Sequence, residues 1–200
     1  MSDSTRQPGN KTGGAPGERG ESLANHFLVA SPWLADRRFH GSIVYLCDHS
    51  KDGAFGVMIN QPLDVSLGEI LEQLDMDGGH LEIPVFGGGP VQQERGFVLH
   101  PPARTWQHTS QVSDQVDVTT SRDVLEAIGR DEGPERFLVA LGYSGWGDGQ
   151  LEEELSGNAW LTCEADTAIL FDTPWQERYD AVLRLMGVDV SQLDQSVGHA

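Results

Sequence analysis

The chain has 200 residues, 38% of them hydrophobic, and a formal charge of −18. A domain of this length buries roughly 70% of its unfolded surface, so neither disulfides nor a structural metal are needed to hold it. The charge weighs against a nucleic-acid or anionic-membrane surface, whose affinity rests on clustered Lys and Arg.

Residues 1–22 are rich in Gly, Pro and Ser and contain no apolar stretch. They read as a disordered tail rather than a secretory signal. Asp3, Glu18 and Glu21 balance Arg6, Lys11 and Arg19 there, so the whole negative charge belongs to 23–200, which reads as one domain with Lys51 as its single lysine. No apolar run reaches the ~18 residues of a membrane span. The two cysteines, Cys47 and Cys163, sit in the apolar runs IVYLC and WLTC and read as small buried hydrophobes of a reducing compartment. The expectation is a cytoplasmic protein.

HFLVAS (26–31) reads as a first strand stopped by Pro32, SIVYLC (42–47) as a second and FGVMIN (55–60) as a third, joined through DHSKDG. SLGEILEQL follows as a helix with a Ser66/Glu69 capping box and an apolar face of Leu67, Ile70, Leu71 and Leu74. IPVFGGGP (83–90) reads as a strand ending in a glycine turn, with RGFVLH (95–100) as its hairpin partner. After a polar loop comes a short strand at VDVTT, then a helix over 121–129 with Ser121 as N-cap and Gly129 as its stop.

RFLVALGYS is continuously apolar and reads as a central strand buried on both faces. A glycine-rich turn, GYSGWGDGQ, leads from it into a short helix, where Leu151 and Leu155 face the core. WLTC and AILF read as further strands. Thr173-Pro174-Trp175-Gln176 opens a last helix with a capping box and proline at its first position, ended by Gly187, and 188–200 is a polar tail. Short strands with interspersed helices indicate a mixed α/β domain rather than a doubly wound parallel sheet.

The glycine-rich turn invites a phosphate, yet the patterns fail. From Gly145 the sixth place of G-x-G-x-x-G is Gln150, and no Gly-Lys-Ser/Thr run exists. Glu152, Glu153 and Glu154 already occupy the start of the following helix, favouring its dipole and repelling an anion. Ser144 lacks the second glycine of a nucleophile elbow, since Trp146 stands there. The seven histidines form no H-x-x-x-H pair and neither cysteine belongs to a C-x-x-C, so no metal or cofactor is expected. His49 and His100 each end an apolar strand, where a structural hydrogen-bonding histidine is the more frequent role.

FLVASPWLADRRFHGSIVYLCDHSKDGAFGVMINQPL, FGGGPVQQERGFVLH, LGYSGWGDGQLEEEL and ILFDTPWQERYDAVLRLMGVD, in that order, resemble the AlgH/YqgE family of bacterial proteins over about residues 23–200. The resemblance implies an α/β fold with a bifurcated mixed β-sheet that includes a small closed barrel, flanked by helices. It implies a role in regulating transcription and no established reaction. The family's motif positions fall on His49, Asn60, Gly88, Gly89, Tyr143, Gly145, Trp146, Gln150 and Glu152, which form the candidate cleft. This sequence has Gln61 where relatives have arginine and Ser144 where many have alanine, which weakens an anion site and a nucleophile there. Three readings follow: a protein acting through a protein partner or small ligand, with an indirect effect on transcription; an enzyme whose cleft is lined by His49, Asn60, Gly89, Gln150 and Glu152; and, least supported, a direct DNA-binding regulator.

Overall fold

The computed structural model describes residues 22–31, 34–102 and 104–188. The expected N-terminal tail, the stop at Pro32 and the C-terminal stretch lie outside these, Ser22 and Val188 apart. Ten strands build the sheet: β1 (His26–Ala30), β2 (Ile43–Ser50), β3 (Gly53–Met58), β4 (Pro62–Ser66), β5 (Pro84–Gly87), β6 (Val91–His100), β7 (Thr109–Gln111), β8 (Asp117–Thr119), β9 (Leu138–Trp146) and β10 (Trp160–Glu164). Five α-helices among the described residues flank them: α1 (Leu67–Gln73), α2 (Arg122–Gly129), α3 (Gln150–Ser156), α4 (Thr167–Phe171) and α5 (Trp175–Leu185). The class is mixed α/β, as expected. No helix among the described residues is long and apolar enough to cross a membrane.

The sheet forks at β9. Its second half pairs with β3 (Gly56↔Ser144), while along the same edge its first half takes β5 in parallel (Phe86↔Ala140). On its other edge it takes β6. The main path runs β10-β1-β2-β3-β9-β6-β8-β7, with β4 and β5 branching off. The continuous apolar run of RFLVALGYS is thus a central strand with neighbours on both sides, where every other residue meets a packed layer.

The path curls into a half-barrel. Phe27, Tyr45, Val57, Phe97, Leu99 and Val118 share its concave side with Leu170 of α4 and Val182 and Leu183 of α5. A second cluster pairs Leu28, Val44 and Leu46 with Trp146, Leu151 and Trp160, beneath α3. A third packs α1 and α2, through Leu67, Leu71, Val124 and Ile128, onto Val85, Val98 and Val139. The polar faces of these amphipathic helices point outward.

Local signals hold at several places. In α1 the Ser66 hydroxyl accepts from Glu69 N–H and the Glu69 carboxylate accepts from Ser66 N–H, the expected capping box. Cys47 is buried and both cysteines are free. Elsewhere the structure corrects the reading. RGFVLH belongs to β6 but is no partner of β5; it pairs with β9 and β8, because the backbone at Gly87–Gly89 runs alongside β9 instead of reversing. AILF is the helix α4, started by the Asp166 carboxylate on the Ala168 N–H. There is no capping box at α5: the Thr173 hydroxyl donates back to Ala168 O of α4. Ser121 caps no helix N–H, and its hydroxyl instead accepts from His108 N–H and donates to Asp123.

Candidate functional site

The open end of the half-barrel is a groove of about 970 Å³. Its floor is three rings in mutual contact. Phe55 on β3, Phe97 on β6 and Tyr143 on β9 have centroids 6.2, 6.0 and 5.6 Å apart. Gly145 keeps this floor open: a Cβ there would stand 3.1 Å from the Tyr143 ring. One wall is the β2–β3 hairpin, with Asp48, Ser50 and Asp52; the facing wall is Gln107, His108, Thr109 and Ser110. The Arg95 guanidinium lies 5.5 Å above the Phe97 ring and donates to Gln92. The Lys51 ammonium is engaged with Asp52 at 2.8 Å.

The second wall is fixed from below by Asp123. Its carboxylate accepts from Gln107 N–H at 2.9 Å, Ser121 Oγ at 2.5 Å and Val124 N–H at 3.1 Å. Burial opposes its charge, but these donors outweigh it and hold the carboxyl below its ordinary pKa.

The nine motif residues do not share one cleft. Tyr143, Gly145 and Trp146 line the groove. Gly89 lines a separate hollow of about 370 Å³ at the fork of the sheet, with Met58, Leu63 and Leu141. His49 and Glu152 pair with each other, Nε2 to Oε1 at 2.7 Å. The other nitrogen of His49, Nδ1, accepts from Leu23 N–H at 2.9 Å, so the neutral ring carries its proton on Nε2 and both nitrogens are committed. Strand alternation puts His49 on the opposite face from Asp48 and Ser50. The bond from His49 holds the Glu152 carboxyl below its ordinary pKa.

Three more motif residues work on backbone. Asn60 accepts from Ile43 N–H and donates to Gly41 O, tying the end of β3 to the start of β2. Gly88 donates its N–H to Leu141 O and accepts from Met58 N–H. Gln150 accepts from Gly147 N–H and donates to Glu154. Ser144 is buried with its hydroxyl on Gly88 O, which removes it as a nucleophile.

Sequence reasoning gave Glu154 only a place at the start of the helix and passed over most of the groove. One Glu154 oxygen accepts from the indole N–H of Trp146 at 2.9 Å and of Trp160 at 2.7 Å. The available signal was Gln150 and Glu154 at helical i, i+4 spacing beside two tryptophans. Phe55 and Phe97 read as ordinary core residues of apolar runs, and only the curl of the sheet exposes one edge of their cluster. His100 is wholly buried, between Pro101 O and the Thr119 hydroxyl, the structural role expected of it.

Residues 27–191 match the family model described as AlgH-like. A UPF0301 protein of Hahella chejuensis is 50% identical over 179 residues, covering 90% of this chain and 97% of its own length. One from Laribacter hongkongensis is 52% identical over 181 residues, covering 89% of this chain and 97% of its own. The solution structure of the AlgH protein from Pseudomonas aeruginosa is similar at a TM-score of 0.77 with 45% identity, over 93% of this chain and 100% of that one. A Corynebacterium diphtheriae protein with 18% identity and a TM-score of 0.65 shares the fold over 84% of this chain and 88% of its own.

Proposed function

The chain belongs to the AlgH-like family, and we propose that it works as a binding protein. A small molecule or a segment of a partner protein sits in the groove, and any effect on transcription is exerted through that ligand rather than by contact with DNA. The observation that carries this is the floor of Phe55, Phe97 and Tyr143 beneath a groove of about 970 Å³. A concave site with aromatic rings below and a few polar groups around it is the usual form of a ligand site.

The charge of −18 opposes phosphate backbones. The enzyme reading is weaker because its candidate residues are occupied: His49 by Leu23 and Glu152, Asn60 by Gly41 and Ile43, Gln150 by Gly147 and Glu154. Free cysteines agree with a role in the cytoplasm.

Native mass spectrometry of protein purified directly from its cells, as wild type and as Tyr143→Ala, tests the reading. The expected result is a bound mass on the wild type that Tyr143→Ala loses. A mass retained by Tyr143→Ala, or sequence-selective submicromolar affinity for duplex DNA at physiological salt, overturns it.

A further inference from the structure

The sheet path ends at β7, and β7 forms one wall of the groove. Its register with β8 pairs Thr109↔Thr119, Ser110↔Val118 and Gln111↔Asp117. The bonds Thr120 N–H to His108 O and Val112 N–H to Val116 O show that residues 108, 110 and 112 turn their backbone groups to β8. Thr109 and Gln111 therefore turn theirs the other way, and no described strand pairs with that edge. Edge strands are ordinarily blunted by shortness, lysine, proline or a covering segment, and of these β7 shows, among the described residues, only its shortness, three residues. Thr109-Ser110-Gln111 contains neither lysine nor proline. At the opposite end of the path, β10 contributes nothing to the groove.

We propose that the occupant of the groove is an extended, basic segment of a partner protein, which adds as a strand to the open edge of β7. The proposal rests on the groove being the binding site and names what fills it. A strand lies ~4.8 Å from its neighbour and sends alternate side chains to one face. Added to β7, it sends those side chains onto Phe55, Phe97 and Tyr143 and continues the half-barrel toward the β2–β3 hairpin.

The partner's charge follows from this chain's. Asp48 and Asp52 stand on the facing wall, Asp114 at the tip of the β7–β8 hairpin and Asp117 in β8, on a protein of charge −18. Arg95 is the one arginine lining the groove among the described residues, and its guanidinium stands over the Phe97 ring. Such a field attracts a Lys/Arg-bearing segment and repels an acidic one. It also repels a second copy of this chain, so edge-to-edge pairing through β7 is disfavoured.

A random decapeptide display library selected on the immobilised full-length protein supplies the probe, and an enriched peptide is then synthesised. The selection is expected to enrich Lys or Arg alternating with apolar residues. Binding of the synthetic peptide should slow amide hydrogen exchange at Thr109 and Gln111, and Tyr143→Ala should abolish it. Gln111→Pro, which removes an outward N–H and leaves the β8 ladder its donors, should weaken binding about tenfold, the worth of roughly one backbone hydrogen bond. Exchange in the wild type does not depend on how that variant folds.

Failure to enrich, or enrichment of acidic peptides, overturns the proposal. Peptides that need Tyr143 yet leave the Thr109 and Gln111 amides unprotected also overturn it, while the binding function stands. Protection that rises with protein concentration and without peptide identifies a second copy as the occupant and overturns it too. A bound mass that Tyr143→Ala retains in the native spectra is a separate failure, of the function itself.

Discussion

Nε2 of His49 stands 2.7 Å from Oε1 of Glu152, closing a bond between residues 103 apart in the chain. With Leu23 N–H on Nδ1, this histidine joins the entry to β1, the end of β2 and the first turn of α3. The His49 side chain is 10% exposed and that of Glu152 54%, so the two ends of the bond have different worth. His49→Ala strips the acceptor from the partly buried Leu23 N–H and should cost about 1–3 kcal/mol. Glu152→Ala removes an exposed carboxylate and should cost less than about 1 kcal/mol. Urea melts of the two variants give the comparison, and equal losses contradict it.

Glu154 carries more. Trp146 and Trp160 are buried, and one oxygen of Glu154 holds both indole N–H groups. Glu154→Ala leaves two buried donors without a partner and should cost roughly 2–4 kcal/mol. A denaturant midpoint followed by tryptophan fluorescence reads the loss. A change under about 1 kcal/mol would mean that water replaces the carboxylate.

At the fork, a Cβ on Gly89 would lie 2.1 Å from the Tyr143 carbonyl carbon, and one on Gly142 would lie 2.6 Å from Gly89 O. Neither neighbour is a movable side chain. Gly89→Ala and Gly142→Ala should each cost about 3 kcal/mol or more or fail to fold. Gly145 belongs to a different class. Its φ is not positive, and its hypothetical Cβ meets only the edge of a ring. Gly145→Ala should fold with a loss of about 1 kcal/mol, and its effect should appear as altered access to the groove. Thermal melts of the three variants decide between these classes.

Asp123 gives the pH dependence. Burial raises its pKa, but its hydrogen bonds with Ser121, Gln107 and Val124 lower it more, so the folded value lies below the ordinary 3.8. A carboxyl with a depressed folded pKa stabilises above its unfolded pKa, and that contribution is lost as pH falls through the folded value. Asp123→Asn should therefore cost about 1 kcal/mol at pH 7, and the difference from wild type should close below pH 3.8. Paired melts from pH 2.5 to 7 measure it; a gap that widens toward acid contradicts the assignment.

Stability should rise between low and moderate sodium chloride. The net charge is −18, and the carboxylates repel over distances that salt screens beyond ~10 Å at 0.1 M. A melting temperature that stays flat or falls across this range refutes the repulsion.

Much of this architecture was legible where the signal is local. The Ser66/Glu69 box announced α1, and the unbroken apolar run of β9 announced a strand with neighbours on both sides. The failures share one cause, which is that spacing does not encode distant pairing. Three glycines before a proline resembled a hairpin turn, yet they are small because Gly88 and Gly89 pass against the backbone of Gly142 and Tyr143. Four apolar residues at 168–171 fit helix and strand equally, and Asp166 as a cap decided the matter. β7 is three polar residues with no period to detect. The motif located His49 and Glu152 but not their relation, and it gave no hint that the groove lies on the other face of β2.

The fork at β9 also bears on synthesis. Before residue 138 leaves the ribosome, the strand ladders that can exist are β1-β2-β3, β4-β5 and β6-β8-β7, and no strand ladder links one set to another. β9 is the strand that joins all three. A nascent chain thus completes its three sheet fragments one after another, at residues 58, 87 and 119, and each keeps open edges and uncovered apolar faces until β9 emerges. It depends on protection until nine consecutive residues, 138–146, arrive to weld them.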